Sequence, residues 1–172
     1  SVSSADRERL LGQKPVTIWL TGLSGAGKSS LAYAIEALLF AEGHLCHTLD
    51  GDNIRHGLNA DLGFNEADRK ENIRRVAQVA SLFNDAGVIV LSAFISPFRE
   101  DRAAARAIVG SGRFLEVFVD APLDVCEDRD PKGLYRKARA GNIPDFTGIS
   151  SPYEEPLSPE IHVRTDQASP EQ

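Results

Sequence analysis

Residues 22–29 of the chain form the pattern GxxxxGKS, which is typical of a phosphate-binding loop between a strand and a helix. Its glycines let backbone N–H groups turn inward around phosphate oxygens, and the N-terminus of the following helix adds positive potential. In such a loop Lys28 binds the β- and γ-phosphates and Ser29 ligates Mg²⁺. The predicted nucleotide-binding positions are Gly22, Leu23, Ser24, Gly25, Ala26, Gly27, Lys28, Ser29 and Ser30.

Other nucleotide-binding classes match these residues less well. The glycines are spaced GxxGxG rather than GxGxxG, and Lys28 would have no role in a dinucleotide site. The chain has no NKxD motif, which a GTPase uses to recognise guanine, and the predicted strand 88–94 lacks a terminal aspartate for magnesium. The residues therefore predict a site for a nucleoside triphosphate and leave the reaction open.

Two acids, Asp50 and Asp52, follow the predicted strand 45–49, at the end where open α/β sheets bind ligands. A carboxylate there could orient Mg²⁺-bound water or take a proton from an attacking hydroxyl. Asp-Gly-Asp is also a common turn sequence. From the residues alone, the catalytic and the structural interpretation stay open.

Strand-like and helix-like segments alternate along the chain, which predicts βαβ units and an α/β fold. Because several apolar runs lack polar alternation, they are typical of buried parallel strands. The expected architecture is a P-loop NTPase-like three-layer sandwich around a parallel sheet of about five strands. The predicted strands are 16–20, 45–49, 88–94, 114–119 and 161–163, and the predicted helices are 28–42, 65–86 and 99–109.

The domain boundaries follow from composition. The polar residues 1–14 are expected to be an N-terminal extension or linker, and residues 15–172 a single domain. Residues 131–159 are rich in Gly, Pro and charge without a strand pattern, which favours a mobile lid. Residues 169–172 have the pattern of a helix start, so we expect a C-terminal helix to be missing.

The net charge of −6 argues against a protein that binds a nucleic acid polymer or an anionic membrane through bulk charge. No apolar stretch approaches the ~20 residues of a membrane-spanning helix. The two cysteines, Cys46 and Cys126, lack the spacing of zinc ligands. These features favour a cytoplasmic protein.

Longer motifs carry a family resemblance. Residues 49–58, 61–64 and 68–75 resemble the adenylyl-sulfate kinase family, and later motifs at 94–97, 130–135 and 146–149 agree in the same order. The resemblance covers residues 14–163. It implies transfer of the γ-phosphoryl group of MgATP to the 3′-hydroxyl of adenosine 5′-phosphosulfate (APS).

The resemblance also implies roles for individual residues. Arg55, Arg69 and Asn72 resemble the APS-binding positions, although an Arg-rich helix start is often only a solvated face. Phe64 and Phe146 resemble the pair that stacks on the APS adenine, although their pattern alone is typical of core residues.

Further roles follow from the same resemblance. Ser96 matches a serine proposed to carry a phosphoryl group, but in-line transfer needs positioning rather than a phosphoenzyme, so we expect a substrate contact. Lys132 would close over the phosphates, and Arg129 would pack on the ATP adenine. The implied catalytic set is Lys28, Asp50, Asp52, Ser96 and Lys132. The implied APS-binding set is Asp50, Asp52, Asn53, Arg55, Phe64, Arg69, Asn72, Ile95, Ser96, Lys132 and Phe146.

Two alternative functions stay open: another P-loop small-metabolite kinase, and a non-catalytic nucleotide-binding regulatory module. The phosphate loop and lid are common to such kinases, so only the acceptor-binding residues separate them. The expected ligands are ATP, APS and Mg²⁺. A homodimer and membership of a bifunctional sulfate-activating chain are further expectations from the family.

Overall fold

The computed structural model describes residues 1–167, which form a five-stranded sheet with helices on both faces. The strands are β1 (Thr17–Thr21), β2 (Cys46–Asp50), β3 (Ile89–Ala93), β4 (Phe114–Asp120) and β5 (Ile161–Arg164). Their order in the sheet is β2-β3-β1-β4-β5, and every neighbouring pair is parallel. The predicted α/β fold with about five parallel strands is confirmed.

The helices are α1 (Ser4–Leu11), α2 (Lys28–Ala41), α3 (Gly51–Arg55), α4 (Glu66–Asp85), α5 (Arg99–Val109), α6 (Leu123–Arg129) and α7 (Leu134–Arg139). The three longest, α2, α4 and α5, were predicted from periodicity. As expected, Asn65 caps α4: its side chain accepts a hydrogen bond from the Asp68 N–H at 2.8 Å. The four shorter helices were not predicted, because few turns give little periodic signal.

The core lies on both faces of the sheet. On one face Trp19 packs against Phe114, with ring centroids 5.6 Å apart, in a cluster that includes α4 and α5 residues. On the other face Leu20 and Leu91 belong to a second cluster with Ala32 of α2. Because apolar side chains point both ways from the central strands, helices must cover both faces, which gives the predicted three layers.

The strand register sets where the loops open. Leu20 and Asp50 both pair with Ala93 of β3, so β1, β2 and β3 end at one edge of the sheet. The segments that follow these strands therefore emerge side by side, although they lie far apart in sequence.

The predicted N-terminal extension contains α1, which contacts the rest of the molecule. Arg7 donates a hydrogen bond to the Asp85 carbonyl at 3.1 Å. The buried Gln13 side chain donates to the carbonyl oxygens of Leu45 and Gly87 at 2.8 and 2.7 Å, and it accepts from the Leu45 N–H at 2.9 Å. This segment therefore connects to the segments that lead into β2 and β3.

The predicted lid, residues 131–159, contains α7 and is otherwise irregular, with one isolated bridge between Thr147 and Ser151. The predicted helix start at residues 169–172 lies outside the described residues. Within residues 1–167, no helix is both long and apolar enough to span a membrane.

Replacement of Gln13 by alanine is expected to lower the free energy of unfolding by about 2–3 kcal/mol, because three backbone groups lose their partner, one in a buried and two in partly buried hydrogen bonds. Urea denaturation followed by circular dichroism measures this. Gln78→Ala, at an exposed position of α4, is the control and should change stability by less than about 0.5 kcal/mol. Equal effects of the two changes would contradict a connecting role for Gln13.

Candidate active site

A cavity of about 660 Å³ lies at the edge of the sheet where β1, β2 and β3 end. It is lined by the phosphate loop, the start of α3, the first turns of α4, the segment after β3 and part of the lid. The sequence-predicted site residues on its wall are Ser24, Gly25, Gly27, Lys28, Ser29, Ser30, Asp50, Asp52, Arg55, Phe64, Arg69, Asn72, Ile95, Ser96, Arg129 and Lys132. Five predicted positions are absent from the wall: Gly22, Leu23, Ala26, Asn53 and Phe146.

Close packing explains two glycines of the phosphate loop. A Cβ atom at Gly22 would lie 2.2 Å from the Val119 carbonyl oxygen, so any larger residue would displace the backbone. Gly25 has φ +79° and lies against Cys126 of α6. The loop is thus held between β4 and α6 and presents its backbone to the cavity.

Lys28 is buried beneath this loop. Its Nζ donates a hydrogen bond to the Leu23 carbonyl oxygen at 2.8 Å. Burial lowers the pKa of Lys28 to about 8, and the charge of Lys132 acts in the same direction. An ammonium group desolvated in this way gains strongly from a bound anion, which fits a phosphate clamp.

Asp50 is buried and caps α3. Its Oδ1 accepts hydrogen bonds from the N–H groups of Asp52 and Asn53 at 3.1 and 2.9 Å. The Tyr33 hydroxyl donates to its Oδ2 at 3.0 Å, and burial followed by this bond raises the pKa of Tyr33 to about 12. Asp50 therefore shapes the turn that carries Asp52. Because Asp50 also lines the cavity, its catalytic and APS-binding roles stay predictions.

Asn53 does not reach the cavity. Its Oδ1 accepts from the Asp50 N–H at 3.0 Å, and its Nδ2 donates to the Thr48 carbonyl oxygen at 2.8 Å. Both ends of the amide are used to hold the turn after β2, so the structure does not support the predicted APS contact.

Asp52 and Lys132 meet at the cavity. The Lys132 Nζ lies 2.7 Å from the Asp52 Oδ1, and both side chains are exposed. An exposed ion pair of this kind contributes little stability, so a charged ligand can compete for either partner. The lid is thus linked to α3 through two residues predicted to be catalytic.

Arg55 and Phe64 form a second pair on the wall. The Arg55 guanidinium lies 4.0 Å from the centroid of the Phe64 ring, and its Nη1 donates to the Gly63 carbonyl oxygen at 3.2 Å. Burial lowers the pKa of Arg55, so desolvation prepares this cation for an anionic partner. The Phe64 ring is 66% exposed, which suits a surface on which a planar base stacks.

Arg69 and Asn72 lie in the first half of α4. The Arg69 Nη1 is 3.4 Å from the Thr147 hydroxyl, while its buried Nε has no hydrogen-bond partner within residues 1–167. The Asn72 Oδ1 accepts from the buried Asn59 Nδ2 at 2.8 Å. The sequence did not predict Asn59 or Thr147 as site residues. Thr147 follows Phe146 in the family motif at 146–149, whereas nothing in the sequence pattern singles out Asn59.

Phe146 is placed differently from its prediction. The side chain is 9% exposed and lies edge-on to Tyr135 of α7, with ring centroids 5.1 Å apart. Although it is a lid residue, Phe146 belongs to the core cluster of Leu20 and Leu91 rather than to the cavity wall. Stacking on a ligand would require the lid to rearrange, so that role stays a prediction.

The segment after β3, residues 95–97, lines the cavity. Ser96 has φ +40°, which is unusual for a residue other than glycine. Its hydroxyl accepts from the Trp19 Nε1 at 3.1 Å and donates to the Phe94 carbonyl oxygen at 3.3 Å. Because both bonds are made with the core, this geometry does not support a phosphoryl-carrying serine.

Arg129, at the end of α6, joins the phosphate loop to the residue that follows β5. Its Nη1 donates to the Gly25 carbonyl oxygen at 3.2 Å and its Nη2 to the Thr165 carbonyl oxygen at 2.8 Å. Val163 also lines this part of the cavity. A guanidinium and an apolar side chain in the wall of one cavity suit the predicted contact with a nucleotide base.

The oxygen donors of the cavity fit Mg²⁺. Ser29, Asp50 and Asp52 line the same cavity as Lys28. Within residues 1–167, no cluster of three or more His, Cys, Asp or Glu forms a metal site. Mg²⁺ is commonly held through one or two protein oxygens together with phosphates and water, so this sparse donor set is compatible with it.

The family model for adenylylsulphate kinase matches residues 14–164. The chain belongs to the adenylyl-sulfate kinase family. Among its relatives, a probable adenylyl-sulfate kinase of Halalkalibacterium halodurans is 60% identical over all of this chain and 85% of that protein. The chain is 62% identical to the bifunctional enzyme NodQ of Rhizobium tropici over 95% of its length, but it spans only 26% of NodQ.

Solved structures agree with the family. The structure of the Mycobacterium tuberculosis APS kinase CysC in complex with AMPPNP and APS matches with a TM-score of 0.87 and 54% identity, over 90% of this chain and 91% of that chain. A gluconokinase from Sinorhizobium meliloti matches with a TM-score of 0.57 and 19% identity, over 90% of this chain and 85% of that chain, which shows a shared fold alone.

The lowered pKa of Lys28 predicts that this kinase takes up a proton when a triphosphate binds. Near pH 9 the free enzyme has lost most of the Lys28 proton, and a phosphate that raises the pKa restores about one proton. Near pH 7 the lysine is already charged, so uptake there should be small. Calorimetric titration with a non-hydrolysable ATP analogue in buffers of different ionisation enthalpy measures the uptake.

Lys28→Met is the control for this titration, because it keeps an apolar chain of similar length and cannot titrate. It should abolish the proton uptake near pH 9. Equal uptake by the variant and the parent protein would assign the proton to another group.

Proposed function

We propose that the chain transfers the γ-phosphoryl group of MgATP to the 3′-hydroxyl of APS, giving 3′-phosphoadenosine 5′-phosphosulfate and ADP. The observation that carries this proposal is a single cavity that combines a phosphate loop with a second set of cations and an exposed aromatic ring. The cations of this second set are Arg55 and Arg69, and the exposed ring is that of Phe64. Such a site suits two anionic nucleotides held close enough for direct transfer.

In the proposed mechanism, the phosphate loop and Lys28 hold the phosphates of ATP. Lys132 moves from Asp52 to the transferring phosphoryl group, where a cation opposes the developing negative charge. Asp52, released from the ion pair, accepts the proton of the 3′-hydroxyl or orients a water. Ser29 would hold Mg²⁺, which when bound neutralises charge on the phosphate oxygens.

The acceptor is held by the other residues of the cavity. The APS adenine stacks on Phe64, and the anionic phosphosulfate pairs with Arg55 and Arg69. The unpartnered Arg69 Nε supports this assignment, because a buried donor gains most from a ligand acceptor. Asn59 holds the Asn72 oxygen, which leaves the Asn72 amide N–H₂ for the ligand.

Further proposals concern the oligomeric state and the cellular location of the enzyme. We expect a homodimer, to be tested by sedimentation equilibrium, and a cytoplasmic enzyme, since Cys46 and Cys126 are both free thiols. Because the chain is 62% identical to part of NodQ, a role within a bifunctional sulfate-activating protein is also proposed.

A coupled ADP-release assay tests the function. APS should support turnover, whereas AMP and gluconate should not, because neither carries the 5′-phosphosulfate. Asp52→Asn should lower kcat by about 10²–10³ with little change in the KM for APS, because the isosteric amide cannot accept the proton. Asp85→Asn is the matched control, since Asp85 is also an exposed acid in an ion pair, with Arg113 at 2.9 Å.

Turnover with gluconate but not with APS would overturn the proposed substrate and favour another small-metabolite kinase. Tight ATP binding without any turnover would favour the regulatory module. A rise in the KM of Asp52→Asn at unchanged kcat would make Asp52 a binding residue.

Truncation of the acceptor contacts should weaken APS selectively. Phe64→Ala should weaken APS binding by about 1–3 kcal/mol, through lost stacking, with the affinity for ATP nearly unchanged. Arg69→Ala should also weaken APS binding, more strongly at low than at high salt. Calorimetric titration with each nucleotide measures both effects.

The matched controls are an exposed phenylalanine and an exposed arginine away from the cavity. Phe40 lies on α2, and Arg74 lies on α4, where it pairs with Glu71. Phe40→Ala and Arg74→Ala should leave both affinities unchanged. If Phe64→Ala and Arg69→Ala weakened ATP and APS equally, the assignment of separate contacts for the two nucleotides would be wrong.

A further inference from the structure

Arg102 of α5 is a buried cation that contacts three separate segments. Its side chain is only 2% exposed. The Nε donates to the Glu116 Oε2 of β4 at 3.2 Å, the Nη1 to the Ser96 carbonyl oxygen at 2.7 Å, and the Nη2 to the Glu154 carbonyl oxygen at 2.6 Å. One guanidinium therefore joins β4, the cavity wall after β3 and the C-terminal part of the lid.

The contact of Arg102 with the Ser96 carbonyl oxygen acts on a strained turn. Ser96 has φ +40°, a conformation that a residue with a Cβ adopts only when its surroundings hold it there. Arg102 holds the Ser96 carbonyl oxygen, and the Thr21 hydroxyl lies 3.3 Å from the same atom. Ile95, Ser96 and Pro97 all line the cavity, so the orientation of this carbonyl sets the shape of the wall.

The contact of Arg102 with the Glu154 carbonyl oxygen acts on the lid. The Glu154 N–H donates to the Pro97 carbonyl oxygen at 2.8 Å, while the Arg102 Nη2 donates to the Glu154 carbonyl oxygen. The Tyr153 hydroxyl lies 2.9 Å from the Thr21 hydroxyl. The C-terminal part of the lid is thus bonded to the same turn that forms the wall.

The charge of Arg102 is already paired. Glu116, itself largely buried, neutralises the guanidinium, and Arg102 does not line the cavity. The side chain is therefore placed to act through its neighbours rather than on a ligand. Its planar fork reaches a carboxylate and two carbonyl oxygens at once, which a lysine ammonium on a flexible chain does not reproduce.

We propose that Arg102 is a positioning residue for acceptor binding. It keeps residues 95–97 in the conformation that fits APS, and it anchors the C-terminal end of the lid to them. This inference rests on the proposed function, because the acceptor is APS. It assigns no contact between Arg102 and either nucleotide.

The test compares Arg102→Lys with Arg106→Lys. Arg106 lies one turn later on α5 and also pairs with a carboxylate, Glu160 at 2.6 and 2.8 Å, and with one backbone carbonyl, that of Phe114. Arg102→Lys should raise the KM for APS by about ten- to a hundredfold, with the KM for ATP unchanged within about twofold. Arg106→Lys should change neither KM.

A second measurement does not depend on APS. Hydrogen exchange of the free protein, followed by NMR, should show faster exchange of the Glu154 amide in Arg102→Lys than in the parent, because the lid anchor opens more often. The exchange of the same amide in Arg106→Lys should match the parent. If the parent protein failed to phosphorylate APS while this exchange difference appeared, the proposed function would fail and the anchoring role of Arg102 would stand.

Equal loss of APS and ATP affinity would overturn the proposal. It would also be overturned if neither KM changed and the Glu154 amide exchanged at the same rate as in the parent. If Arg102→Lys does not unfold cooperatively, the double variant Arg102→Gln with Glu116→Gln removes both charges and leaves no buried ion unpaired. The same selective loss of APS affinity is expected there, and its absence would also overturn the proposal.

Discussion

The parallel alignment of the five strands is the constraint on which the site depends. Because each connection crosses over the sheet, usually through a helix, the strands run in one direction and their carboxyl ends lie at the same edge of the sheet. The register pairs Leu20 and Asp50 with Ala93, which brings the phosphate loop, the start of α3 and residues 95–97 together. Three segments that are distant in sequence thereby share one cavity.

Local charge in this cavity opposes the charge of the whole chain. The net charge is −6, yet among residues 1–167 the wall carries Lys28, Arg55, Arg69, Arg129 and Lys132 against only two acids, Asp50 and Asp52. Burial lowers the pKa of Lys28 and of Arg55, because the fold removes these cations from water. The cavity therefore favours anions although the protein as a whole repels them.

Side chains of the same type serve different purposes around this cavity. Asp50 caps a helix while Asp52 faces Lys132, and Phe146 packs in the core while Phe64 stays exposed. Ser96 lies in the wall, and its hydroxyl accepts a hydrogen bond from Trp19. Arg102 lies behind that wall and joins it to the lid. The chemistry of a residue type therefore does not by itself decide its role.

The sequence alone determined the features that depend on local interactions. The GxxxxGKS loop is specified by glycine conformations and a helix N-terminus within eight residues, and the strands and long helices by periodicity within single segments. The family motifs extended this to the acceptor set, most of which lines the cavity.

Only the tertiary structure decided which side chains reach that cavity. Whether Asn53 faces a ligand or closes a capping box depends on the turn after β2, and Phe146 is buried because α7 packs over it. The contacts of Arg102 with Glu116 and Glu154 and of Asn59 with Asn72 join residues 13 to 52 positions apart. Such contacts arise from packing after the chain has folded, so no local pattern in the sequence carries them.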